Sequence, residues 1–228
     1  MYLWLEAIYL KMIFEKRWQV LNKTCIVVLK LSFNVPFYKD CDYIGVDKGA
    51  LVLAEQKIQM LEAIGDFDSV EKEDLNIIQE YADKMEILNP VKDDSDSEHA
   101  IKKAISYGYD KIIVYGGLGG RIDHEIVNIR LCEQFANKIT FVDENNKLTA
   151  YSTGSYEFKK EYQYISVFAS DKSEISWKNT KYLLDHQILN INDLFGLSNE
   201  IEVEPAILTV HSGKVLVVES NDKKRFPN

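Results

Sequence analysis

The 228-residue sequence predicts an α/β domain with a mainly parallel sheet, followed by an all-β domain of sandwich type. Three observations carry that expectation. From Cys25 to about Val142, apolar runs of strand length alternate with segments of helical period. After about Glu144, short β-favouring stretches are separated by Gly, Asn, Asp and Ser turn signals, with no helical pattern of three turns. Hydrophobic residues make up 46% of the chain and charged residues 28%, which supplies packed cores and removes any compositional case for disorder. The change of texture divides the chain into residues 23–145 and 146–222.

Residues 1–22 are rich in aromatic and aliphatic side chains. Glu6, Lys11, Glu15, Lys16 and Arg17 keep each apolar stretch well short of the ~20 residues of a membrane span, and no signal-peptide cleavage pattern follows. The segment reads as a soluble extension, or as a translated upstream segment with Met12 as another start. Candidate strands then fall at Cys25–Leu29, Tyr43–Val46, Leu61–Ile64, Ile112–Tyr115 and Ile139–Val142. Between them Leu75, Ile78 and Tyr81 mark one helical face, Ile101, Ala104 and Ile105 a second, and Ile122, Ile126 and Ile129 a third. In the second domain the clearest strands are Tyr162–Phe168, Ile207–Val210 and Val215–Val218, and the tail Asn221–Asn228 reads as frayed.

With 27 basic against 36 acidic residues the formal charge is −9, and no local basic patch offsets it, so nucleic acid is excluded as a partner. A polyanion site in so acidic a chain needs a divalent cation between the ligand and the carboxylates. Cys25, Cys41 and Cys132 are odd in number and widely spaced, which supports neither a disulfide framework nor a zinc site and places the chain in a reducing compartment, the cytosol.

Three runs carry chemistry. In Gly65-Asp66-Phe67-Asp68-Ser69 the aspartates lie in a strand-to-helix loop at the carboxyl edge of the sheet, where open α/β sheets bind ligands, and Ser69 can cap the helix that follows. Two carboxylates one residue apart can converge on one hard cation, although a D-x-D is also common in solvated turns. In Lys92-Asp93-Asp94-Ser95-Asp96-Ser97-Glu98, Ser95 and Glu98 have capping-box spacing. Capping leaves three crowded aspartates unexplained, so Asp96 or Asp93 could be a further metal ligand and Ser95 a phosphate contact. In Tyr115-Gly116-Gly117-Leu118-Gly119-Gly120-Arg121-Ile122-Asp123-His124, glycines open backbone N–H groups to phosphate and Arg121 adds a planar fork of donors. The run is neither a Walker A loop nor a Rossmann fingerprint. His124 fits a general base or a loop-fixing hydrogen bond, and His99, His186 and His211 have no ligand-like spacing. Gly196-Leu197-Ser198-Asn199-Glu200 in isolation is a polar turn.

Taken in order, Asp47-Lys48-Gly49-Ala50, the G-D-F-D-S run, Lys92 to Asp96, the Gly-Gly-Arg-Ile-Asp-His run with Asn128, and Ser198-Asn199-Glu200 closely resemble the thiamine pyrophosphokinase family over roughly residues 43–220. The resemblance implies an α/β nucleotide-binding domain, a C-terminal β-sandwich, and a homodimer with thiamine sites between subunits. It implies Mg2+-dependent transfer of diphosphate from ATP to thiamine, with AMP released. Carried over by motif, Asp66, Asp68 and Asp96 are the Mg2+ ligands, and Asp47, Gly49, Ser69, Asp93, Ser95, Gly117, Arg121 and Asn128 are nucleotide-side positions. Asp123, Ser198 and Asn199 are thiamine-side, and Asp123 and Arg121 join the metal ligands in the catalytic set. The chain departs from the pattern after its first strand, where Val27 to Asn34 contains no glycine. Two rival readings are diphosphate transfer to another alcohol such as a pterin, and a non-catalytic nucleotide or thiamine sensor.

Overall fold

The structure is a computed structural model and describes residues 24–32, 34–68, 70–89 and 94–222. The expectations for residues 1–22, for Ser69 and Asp93, and for the last six residues of the tail lie outside the described residues. The chain divides into two compact units, one ending at Gly116 and the other beginning at Gly117.

In the first unit, strands β1 (Thr24–Val28), β2 (Cys41–Val46), β3 (Glu62–Gly65), β4 (Met85–Ile87) and β5 (Lys111–Tyr115) form a sheet in the order β4-β3-β2-β1-β5. Every neighbouring pair is parallel. Parallel strands covered on both faces become continuous apolar runs, and Cys25 to Val28 are accordingly all buried. Helices α1 (Lys48–Glu55), α2 (Lys72–Tyr81) and α3 (Asp96–Ser106) connect the strands. A core of Ile26, Val28, Tyr43, Leu53, Met60, Phe67 and Ile78 lies between the sheet and its helices. The chain steps outward from β1 to β4 and then returns to β5 on the other side of β1, so the strand order reverses there. Such a reversal opens a crevice at the carboxyl ends of the strands.

The second unit opens with α4 (Ile122–Gln134) and continues with β6 (Ile139–Val142), β7 (Asn146–Tyr151), β8 (Gly154–Phe158), β9 (Tyr164–Ala169), β10 (Ser173–Lys178), β11 (Leu184–Leu189), β12 (Ala206–Ser212) and β13 (Val215–Ser220). They form two antiparallel layers, β6-β7-β13-β9 and β11-β10-β12-β8. Phe158, Ile165, Val167, Ile175, Trp177, Leu208 and Val217 fill the space between them as one sandwich core.

Three local expectations need correction. The eight-residue α1 and the three-residue edge strand β4 were not anticipated. Helix α2 begins at Lys72 with Glu71 at its N-cap, further on than a Ser69 cap would start it. On α4 the buried face runs through Asn128, Leu131 and Cys132, while Ile122 and Ile126 stand 73% and 52% exposed. Hydrophobic spacing chose the wrong side because a polar side chain, Asn128, occupies the inner face.

Candidate active site

Phe67 organises the G-D-F-D loop. Its side chain is 6% exposed and belongs to the core of the first unit, with the backbone in the left-handed region at φ 54°. Anchoring the central residue turns its two neighbours outward, so Asp66 is half-buried and Asp68 exposed. Asp66 Oδ1 accepts the backbone N–H of Asp68 at 3.2 Å, which fixes the turn between them.

Asp47 approaches this loop from the end of β2. It is the N-cap of α1, yet its side chain does not cap that helix. Its Oδ1 instead accepts the N–H of Phe67 at 3.4 Å. The backbone is held at φ 49°, a conformation that non-glycine residues adopt mainly where the surroundings impose it. Gly65 permits the approach, because a Cβ there would stand 1.9 Å from Asp47 Oδ1. Burial raises the Asp47 pKa to about 6, and the nearby charges of Asp96, Asp66 and Asp68 add to the shift. Four carboxylates from three loops of the first unit therefore share one region at the carboxyl edge of its sheet.

Asp96 reaches that region as the first residue of α3. Ser95 Oγ caps the helix by accepting the N–H of Glu98 at 3.2 Å, as the capping-box spacing requires, and lies 3.0 Å from Ser97 Oγ. All candidate donors in this region are hard carboxylate oxygens, the chemistry suited to Mg2+, and the raised pKa of Asp47 marks a negative potential that a cation would relieve. The residues fit the ion. Among the described residues no three such side chains already stand in a coordinating arrangement.

Gly49 is buried in the first turn of α1, where a Cβ would stand 2.0 Å from Val28 O; its smallness lets the helix N-terminus rest on the end of β1. At the strand reversal, Gly116 (φ 75°) meets the loop after β1, and a Cβ there would come within 2.5 Å of Ser32 N.

The second unit carries the remaining candidates. Asn128 is buried and its Nδ2 donates to Gly117 O at 2.8 Å, tying α4 to the glycine loop. Gly117 is itself pressed on Phe141, where a Cβ would lie 2.8 Å from the ring. Exposed Arg121 donates through Nε to Asp123 Oδ1 at 3.1 Å, and its second guanidinium nitrogen binds Asp123 Oδ2. This bond to Arg121 holds the Asp123 carboxyl below its ordinary range. Glu125, from the same helical turn, accepts the N–H of Gly119. Sequence reasoning missed Glu125, although an acidic residue in a first helical turn is the available signal. Ser198 is exposed with φ 57°, its N–H bound to Ser166 Oγ at 2.9 Å. The buried Asn199 amide serves the backbone of Tyr182 and Glu200. Outside these motifs, His186 stacks on His211 with ring centroids 4.1 Å apart, and His99 lies 3.3 Å from Glu86.

Fold and site together define a class: a parallel α/β unit with an acidic, oxygen-rich edge suited to a metal-bound polyphosphate, followed by a β-sandwich unit. The catalytic-domain model of thiamin pyrophosphokinase matches residues 37–142. A thiamine pyrophosphokinase of Bacillus subtilis (strain 168) is 29% identical over 187 residues, 79% of this chain and 87% of that protein. The crystal structure of thiamine pyrophosphokinase from Bacillus subtilis aligns with a TM-score of 0.80 at 26% identity, covering 88% of this chain and 100% of the other. The corresponding structure from Geobacillus thermodenitrificans gives 0.78 at 26% identity, with 90% and 100% covered. By family model, relative and solved structures alike the chain is similar to thiamine pyrophosphokinases, and that is the function these likenesses support.

Proposed function

We propose that the chain transfers a diphosphate from Mg2+-bound ATP to the hydroxyl of thiamine, giving thiamine diphosphate and AMP. The observation that carries this reading is the gathering of Asp47, Asp66, Asp68 and Asp96 at the carboxyl edge of the first sheet, expressed in the raised pKa of Asp47. Asp66, Asp68 and Asp96 would hold Mg2+, which when bound supplies neutralisation of the phosphate charge. Asp47 braces the metal loop through the Phe67 N–H, and Ser95 offers its hydroxyl to a phosphate oxygen. Gly117 and Asn128 keep the glycine loop in shape for the nucleotide, while Gly49 seats the N-terminus of α1. Ser69 and Asp93 keep nucleotide-side roles by resemblance alone.

Arg121 exchanges its Asp123 partner for phosphate oxygens and stabilises charge that develops during transfer. Asp123, released from Arg121, would orient the thiamine hydroxyl. Ser198 is assigned to the thiamine side, with Asn199 fixing the turn that presents it. The exposed apolar residues Leu183, Ile191, Leu194, Phe195 and Leu197 lead up to Ser198 in sequence and support a homodimer built on this segment of the second unit. Three free cysteines and the absence, among the described residues, of any helix long and apolar enough to cross a membrane accord with a cytoplasmic enzyme.

Mixing protein, ATP, Mg2+ and thiamine should yield AMP and thiamine diphosphate together. A panel of alcohols, including a pterin alcohol, tests the acceptor, and binding of both ligands without AMP would instead make the chain a sensor. Asp68→Ala should slow AMP release by on the order of 100-fold, the loss typical of one electrostatic stabiliser. Near-parental turnover in that variant would remove Asp68 from the metal site.

A further inference from the structure

Like charges crowded at one edge push apart the loops that carry them, so something must hold α3 and its Asp96 against β3 and the Asp66–Asp68 loop. The Ser95 cap is internal to the helix and cannot do it. Further along α3, Lys103 Nζ binds Glu62 Oε1 at 2.7 Å and also Glu86. Tyr107, at the C-cap, donates its hydroxyl to Glu62 Oε2 at 2.6 Å. Glu62 is 3% exposed, and both its oxygens are engaged by residues four apart on one helix. Burial pulls the Lys103 pKa down, but the bonds to Glu62 and Glu86 outweigh it and raise it. His99 closes the cluster on Glu86.

The placement of this cluster matters more than its strength. Asp96, His99, Lys103 and Tyr107 are spaced three to four residues apart and form one stripe of α3. Glu62 stands four residues before Asp66 on β3, about 13 Å at strand rise, and Lys103 follows Asp96 by about 10 Å of helix. Helix and strand are thus joined by ion pairs at one end and face each other with carboxylates at the other. We propose that Glu62, Lys103 and Tyr107 are positioning residues that set the spacing between Asp96 and the Asp66–Asp68 pair, and so the affinity for the divalent cation. A helix fixed this way cannot rotate or slide without breaking both bonds to Glu62.

The inference rests on the metal reading above, and one experiment separates them. Mn2+ binding is titrated by electron paramagnetic resonance on the full chain with a non-hydrolysable ATP analogue, alongside circular dichroism, melting curves and the Mg2+ dependence of turnover. Lys103→Met should weaken Mn2+ binding about 10-fold, the range seen when outer partners of metal ligands are removed. Turnover should recover at saturating Mg2+, and Lys103→Arg should restore most of the affinity. Tyr107→Phe, which keeps the packing, should show a smaller loss in the same direction and carries the test if Lys103→Met does not fold. A lower melting temperature with parental Mn2+ affinity in both variants, while Asp68→Ala abolishes binding, overturns the positioning role alone. Parental Mn2+ binding by Asp68→Ala overturns the metal reading, and the positioning role with it.

Discussion

Phe67 carries no charge, yet its burial decides where Asp66 and Asp68 stand. Phe67→Ala should cost about 3–5 kcal/mol of stability, as for other buried phenylalanines, and should raise the Mg2+ requirement because the turn loses its anchor. Urea denaturation and a Mg2+ titration of turnover check the two effects. Asp47 gives a second handle, through pH. Its folded pKa, about 6, lies above the ordinary 3.8. An acid whose pKa rises on folding contributes stability that is complete below the unfolded value and is lost as pH climbs through the folded one. The metal-free protein should therefore lose this contribution between about pH 4 and pH 6. Asp47→Asn should melt higher than the parent at pH 7 in EDTA, with the gain fading toward pH 4, and melting curves at several pH values show it. A parental melting temperature at pH 7 would deny the crowding of charge on which the site is built.

At the scale of elements, the sequence is most readable where burial is symmetric. β1 is covered on both faces and so appears as a plain apolar run, β5 keeps its apolar run with one face only half-buried, and β12 and β13 appear as runs cut by turns. Short elements lack that signal: β4 has three residues at the sheet edge, and α1 has eight, with Gly49, Ala50, Leu53 and Ala54 buried. On α4 periodicity failed because spacing records hydrophobicity, and the inner face is partly polar. Motifs supplied the candidate residues of the site, but not their gathering. Nothing in the spacing of Asp47 reveals that its backbone is left-handed and its carboxylate rests on Gly65. Equally, Glu62 and Lys103 are 41 residues apart, and only the adjacency of β3 and α3 makes them partners.

The whole molecule has two surface properties that bear on function, a set of exposed apolar residues in the second unit and a net charge of −9. If the exposed apolar residues of the second unit seat a second copy, Phe195→Glu should convert a dimer to monomers, because burying an unpaired carboxylate in such an interface is costly. Light scattering at matched concentration distinguishes the two masses, and an unchanged dimer would move the interface elsewhere. The charge acts together with the glycine loop, where Asp123 and Glu125 already occupy Arg121 and the Gly119 N–H. On the proposed function, a nucleotide arriving there would perform an ion exchange, its phosphates displacing carboxylates that stay tethered nearby. On the same reading, that displacement would favour a polyphosphate that travels with its own countercharge.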